Sequence, residues 1–152
     1  MKIITGKQER YQKVVVYGPE GIGKSTFAAH FPKPLFIDTE ASTAHMDVAR
    51  LERPTSWAVL MEYVQELIKD HQGFTTLVID TIDWAEQLCV QHICSKYQVS
   101  GIEDIGYGKG YVYEKEEFGR LLNKLQDLIE SGMNVVLTAH AMVRKFERPD
   151  QP

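Results

Sequence analysis

Val14-Val15-Val16-Tyr17-Gly18-Pro19-Glu20-Gly21-Ile22-Gly23-Lys24-Ser25-Thr26 decides how this chain is read. Val14 to Tyr17 form a short β-branched run ended by Gly18-Pro19, the pattern of a buried strand that enters a turn. Gly18 to Thr26 fit G-x-x-x-x-G-K-[ST], and residues 24–31 then read as a short helix stopped at Pro32. Gly21 and Gly23 let the backbone curl so that successive N–H groups face phosphate oxygens. The helix start adds its positive dipole end. Lys24 is placed to reach β- and γ-phosphates, and the Ser25 hydroxyl is a hard oxygen ligand for Mg²⁺. Glu20, Ile22 and Thr26 complete the predicted loop.

Outward from this loop, apolar runs alternate with helical periodicities. Leu35-Phe36-Ile37-Asp38, Thr76-Leu77-Val78-Ile79-Asp80 and Asn134-Val135-Val136-Leu137-Thr138-Ala139 read as three further strands. Trp57, Leu60, Met61, Val64, Leu67 and Ile68 recur at helical spacing and predict a helix over 56–70. Residues 82–97 predict another helix. Phe118, Leu121, Leu122, Leu125, Leu128 and Ile129 predict a third over 113–130. Strands that alternate with helices and lack strict polar alternation imply an α/β fold, and the G-x-x-x-x-G-K-[ST] loop makes it one of the P-loop NTPase kind. Its parallel sheet has at least four strands, with helices on both faces.

The chain has 152 residues, 17 Lys+Arg against 21 Asp+Glu, and a net charge of −4. That length fits one domain, 1–152. The acidity argues against coating duplex DNA or anionic membranes by bulk charge. No apolar run approaches the roughly 20 residues of a membrane span, and the start is no secretory signal, so a cytoplasmic protein is expected. On a helix, Cys89 and Cys94 point about 140° apart, which suits reduced thiols better than a disulfide or a shared metal.

Hydrolysis needs more than a phosphate loop: an acid that supports Mg²⁺ and a group that orients water. Asp80 ends an apolar strand, where open α/β sheets bind ligands, and is the expected Mg²⁺ partner. The alternative is a cap for the following helix. The next residue, Thr81, cannot act as a base. Glu40, which follows the second strand, and Asp83, in the first turn of a helix, are the two candidates, with Glu40 preferred. His140 follows the fourth strand directly. If that strand lies between the phosphate-loop strand and the Asp80 strand, His140 emerges where a γ-phosphate would be sensed.

Gly18 to Thr26 followed by Leu35-Phe36-Ile37-Asp38-Thr39-Glu40 resembles the opening of the RecA-type recombinase ATPase core. More closely, the chain resembles phage-encoded, RecA-like AAA-type ATP-binding proteins linked to single-strand annealing and recombination. The residues that carry this likeness are Tyr17-Gly18, Asp80-Thr81-Ile82-Asp83, Gly106-Tyr107-Gly108-Lys109-Gly110-Tyr111 and Val136-Leu137-Thr138-Ala139-His140. The resemblance covers about residues 10–148. It implies ATP with Mg²⁺, Glu40 as the activator of water, Lys24 and His140 beside it, and Ser25 and Asp80 on the metal. It further implies single-stranded DNA, copies of the same chain and a single-strand-binding protein as partners. Bacterial RecA carries Gln at the position of His140, and family members continue past Pro152. Such cores flank the phosphate-loop strand on both sides, so the sequence predicts a core that is incomplete at its C-terminus.

Two segments are candidates for DNA contact, with an ordinary surface loop as the competing reading. Residues 100–113 hold four glycines and three tyrosines, with Tyr107, Lys109 and Tyr111 at the centre of an expected mobile loop. Residues 141–148 put Arg144 and Lys145 beside Phe146, directly after His140. Glu103, Asp104, Glu114, Glu116 and Glu117 oppose phosphate binding in the first segment. Two other function classes are consistent with the loop: a nucleotide or nucleoside kinase, which would need an arginine-rich lid, and a non-catalytic ATP switch.

Overall fold

The computed structural model describes residues 1–141. Its strands are Lys13–Gly18 (β1), Pro34–Asp38 (β2), Ala49–Arg50 (β3), Thr76–Asp80 (β4) and Asn134–His140 (β5). Its helices are Lys24–Ala29 (α1), Trp57–Lys69 (α2), Ile82–Lys96 (α3) and Lys109–Ser131 (α4), and two 3₁₀ turns, Ile102–Asp104 and Gly106–Gly108, lead into α4. All strand pairs are parallel, in the order β1-β5-β4-β2-β3. The expected α/β class is therefore the observed one. β3 adds a fifth strand that two residues were too few to announce.

The register explains why the site forms at one edge. Asp38 lies opposite Asp80, Asp80 opposite Thr138, and Gly18 opposite His140. The carboxyl ends of β1, β2, β4 and β5 thus finish level, and the loops bearing Lys24, Glu40, Thr81 and Ala141 leave from a common rim. β5 sits between β1 and β4, the placement on which the reading of His140 depended.

Strand residues alternate between two apolar layers. Leu35, Ile37, Leu77, Ile79, Val135 and Leu137 pack with α2, α3 and α4, while Phe36, Val78 and Val136 pack with Ala28 of α1. All five residues of β4 are buried, as a central parallel strand requires. β1 pairs with β5 alone among the described residues, and its Val15 and Tyr17 are 56% and 74% exposed. The phosphate-loop strand is thus the edge strand expected from the sequence. The helix predicted over 24–31 ends sooner, at Ala29, with His30 as its C-cap.

The Ser56 hydroxyl accepts the Val59 N–H at 3.2 Å and caps α2. Trp57 stacks on Phe118 and donates its indole N–H to Glu117 at 3.0 Å, and Lys124 reaches Gln65. These contacts run in the same direction along both helices, so α2 and α4 are parallel. Residues 109–116 of α4 therefore extend beyond the start of α2 as an outgrowth from the α2–α4 pair. The second half of α4 buries Leu121, Leu125, Leu128 and Ile129 in the main core, while Leu122 falls off the expected stripe at 37% exposure. Its first half packs on α3 and the 3₁₀ turns around a separate cluster of Ile93, Cys94 and Ile102, with Tyr97 stacked on Tyr113 at 4.9 Å.

Here the structure corrects the sequence reading. The helix expected from 113 already begins at Lys109, and two 3₁₀ turns occupy most of the segment read as a loop before it. The glycines serve geometry. Gly108 takes φ 72 as the N-cap of α4, and Gly110 lies against the Ile102 carbonyl, where a side chain would collide.

Candidate functional site

The phosphate loop joins β1 to α1. Gly21 and Gly23 take φ values of 82 and 99, the left-handed region that only glycine enters without strain. The Lys24 side chain is buried back over the loop, its Nζ donating to the Gly18 carbonyl at 2.8 Å and to the Pro19 carbonyl at 3.1 Å. Those carbonyls hold the ammonium inside the loop curl. Ile22 is 65% exposed, so only its backbone belongs to the loop.

A cleft of 310 Å³ opens beside the loop. Of the predicted residues, Glu20, Gly21, Gly23, Lys24, Ser25, Thr26, Glu40, Asp80 and His140 line it. Gly18 lies beneath, its carbonyl holding Lys24. The Ser25 hydroxyl donates to Asp80 Oδ2, and the Thr138 hydroxyl donates to Asp80 Oδ1 at 2.7 Å. Both oxygens of this buried carboxylate are thereby oriented. One hydroxyl and one carboxylate form an incomplete cage, and among the described residues no three or more His, Cys, Asp or Glu side chains are grouped so as to hold a metal ion by themselves. That donor set fits Mg²⁺, which keeps waters and substrate phosphates as its remaining ligands, and it does not fit a structural zinc.

Glu40 lines the same cleft. Its Oε1 accepts the Thr81 hydroxyl at 2.6 Å and the His140 ring Nε2 at 2.7 Å. A carboxylate only accepts, so Nε2 carries the hydrogen in this contact. Asp83, the competing candidate base, accepts the His140 backbone N–H at 2.7 Å and so ties the first turn of α3 to the end of β5. Glu40 faces the cleft; Asp83 does not line it.

The connection carrying Glu40 is braced. Asp38 accepts the backbone N–H groups of Ser42 and Thr43 at 3.0 and 2.7 Å, and also the Thr43 hydroxyl. Burial pushes the Asp38 carboxyl upward, but the hydrogen bonds from Thr43, Ser42 and Glu40 outweigh it and hold it below the usual range. Arg50 donates to the Thr43 and Met46 carbonyls at 2.7 and 2.8 Å. His45 and Met46 reach the cleft from this braced loop. Neither was singled out in the sequence, since no spacing marks a residue whose position depends on loop bracing.

Tyr107, Lys109 and Tyr111 do not line the cleft. They lie on the 3₁₀ turn and the first residues of α4, Tyr107 fully exposed and Tyr111 58% exposed. Arg144 and Lys145 lie outside the described residues. Cys89 and Cys94 are buried free thiols, and burial, followed by the charges of Glu114, Glu117 and Glu86, pushes the Cys89 thiol up to about 12. Among the described residues no helix is long and apolar enough to cross a membrane.

A glycine-rich loop between a parallel strand and a helix, with a hydroxyl–carboxylate pair beside a buried lysine, defines a P-loop nucleotide-binding protein. The chain belongs to the AAA domain family, whose model matches residues 10–152. Membership implies ATP as the nucleotide, with Mg²⁺ as its usual companion. The chain is also similar to the SPbeta prophage-derived uncharacterized protein YorG of Bacillus subtilis (strain 168), at 25% identity over 134 residues. The match covers 84% of this chain and 40% of that relative's length.

Proposed function

We propose that the protein hydrolyses ATP and acts on single-stranded DNA in phage recombination or annealing, in the host cytoplasm and as an assembly of copies. The observation that carries the hydrolytic part is Glu40, held at 2.7 Å from His140 in the cleft that Lys24, Ser25 and Asp80 also line. In this reading Glu40 orients water and accepts its proton. Lys24 and the loop amides stabilise charge on the phosphates, and His140 senses the last one. Ser25 and Asp80 would hold Mg²⁺, which when bound neutralises charge on the β- and γ-phosphate oxygens. A lid-dependent kinase is disfavoured because the segment 100–113 carries no arginine.

The DNA part is supported by the prophage origin of YorG and by the exposure of Tyr107, Lys109 and Tyr111 where α4 begins. Stacking on exposed tyrosines is sequence-tolerant, as single-strand binding requires. Arg144 and Lys145, and a single-strand-binding protein as partner, belong to the same proposal.

The test combines two measurements. Fluorescence anisotropy with labelled single strands, with and without a non-hydrolysable ATP analogue, should show nucleotide-dependent binding. Steady-state phosphate release should rise with single-stranded DNA and collapse in Glu40→Gln. Absence of DNA binding at low salt in both states discards the DNA part, and undiminished hydrolysis in Glu40→Gln discards Glu40 as the base.

A further inference from the structure

Thr39 and Thr81 follow the last paired residues of β2 and β4, and both are almost fully buried, at 3% and 2% exposure. The sheet ladder has ended there, yet the two remain tied by side chains. The Thr39 hydroxyl accepts the Thr81 N–H at 2.8 Å and donates to the Thr81 carbonyl at 2.9 Å. The Thr39 N–H in turn donates to the Asp80 carbonyl at 2.8 Å. One threonine therefore brackets both backbone polar groups of the other. A hydroxyl has a single proton. Thr39 spends its proton on Thr81, and Thr81 spends its own on Glu40.

We propose that Thr39 and Thr81 form a hydroxyl relay that positions Glu40 for hydrolysis, Thr81 acting directly on the carboxylate and Thr39 acting through Thr81. This inference rests on Glu40 being the base. Among the described residues, both hydrogen bonds to the Glu40 side chain fall on Oε1. Two donors, from the residue that follows β4 and the last residue of β5, meet at one oxygen and fix the carboxylate plane, and the Oε2 lone pairs are left to take a proton from water. With one donor removed, the carboxylate swings about the His140 contact, and a misplacement near 1 Å costs up to roughly 100-fold in rate. The relay also gives a function to Thr81, which stands where many ATPases carry the base itself.

Thr81→Val removes the proton but keeps the shape, Thr81→Ser keeps the proton, and Thr39→Val removes the bracket. The relay predicts that Thr81→Val and Thr39→Val lower kcat by roughly 10- to 100-fold. KM and the affinity for a fluorescent ATP analogue should stay near wild type, and Thr81→Ser should recover most of kcat. A nucleotide-free readout accompanies this. The His140 Nε2–H resonance, protected by Glu40, should be visible by NMR in wild type and Thr81→Ser, and broadened by solvent exchange in Thr81→Val. Wild-type kcat in Thr81→Val alongside a dead Glu40→Gln overturns the relay and leaves the base intact. Equal loss in Thr81→Ser and Thr81→Val, or an unchanged His140 signal in Thr81→Val, also overturns it. Full activity in Glu40→Gln removes the base and the relay together.

Discussion

Gly110→Ala should loosen the outgrowth while sparing the nucleotide cleft. A Cβ at Gly110 would sit 2.2 Å from the Ile102 carbonyl oxygen and 2.9 Å from Ile102 Cγ1. Carbon–oxygen contacts settle at about 3.3–3.6 Å, so the 3₁₀ turn carrying Ile102 must retreat by about 1 Å. The obstacle is backbone, so no rotamer change relieves it, and overpacking of this kind costs about 1–3 kcal/mol. Alanine regains only about 0.5–1 kcal/mol of helix propensity. The net loss falls on the small cluster of Ile93, Cys94 and Ile102, away from the main core. Hydrogen exchange of amides 97–110 is the assay, each tenfold fall in protection reporting about 1.4 kcal/mol. Gly119→Ala is the internal control: it lies in α4, and nothing stands within 4 Å of its added Cβ. It should stabilise the helix. If Gly110→Ala protects residues 97–110 as well as wild type, or better in the manner of Gly119→Ala, the close approach of the Ile102 carbonyl does not constrain position 110.

Lys24→Ala should abolish binding of a fluorescent ATP analogue without unfolding the protein; retained affinity would contradict the phosphate-loop reading. Cys89 and Cys94 should resist iodoacetamide at pH 8 until denaturant is added. Burial excludes the reagent from both, and the raised pKa of Cys89 keeps it a thiol. Asp38→Asn should destabilise the Glu40 connection by about 1–3 kcal/mol at pH 7, because an amide cannot accept from Ser42 and Thr43 together. Because the folded pKa of Asp38 is lowered, its contribution is present above the unfolded value of 3.8 and is lost as pH falls. The gap in thermal melts between wild type and Asp38→Asn should therefore hold from pH 7 down to about 3.8 and narrow as the pH falls further.

Asp80 and His140 were legible because each is the polar residue that ends an apolar strand, and Glu40 because it follows such a strand by two residues; all three line the one cleft. Lys24 and Ser25 were legible from spacing alone. The Thr39–Thr81 bracket was not, since it joins residues 42 apart through the β2–β4 register, which no local pattern encodes. β3 escaped because two residues carry no periodicity. The start of α4 was misread for a different reason. Gly106, Gly108 and Gly110 look the same in composition whether they loosen a chain or let it pass close to itself. Only the Ile102 carbonyl beside Gly110 distinguishes the two.

The unbroken run of α4 from Gly110 to Ile129 makes the outgrowth a pointer with its pivot in the core. Leu121, fully buried, and Gly110 are separated by about 16 Å of helix, so a tilt of about 5° at the pivot carries Gly110 through about 1.4 Å. Small changes in how Trp57 and Gln65 seat α4 are therefore magnified at Tyr107 and Tyr111. Substitutions at that helix–helix seam should alter the reach of the tyrosines while leaving every residue of the tip unchanged.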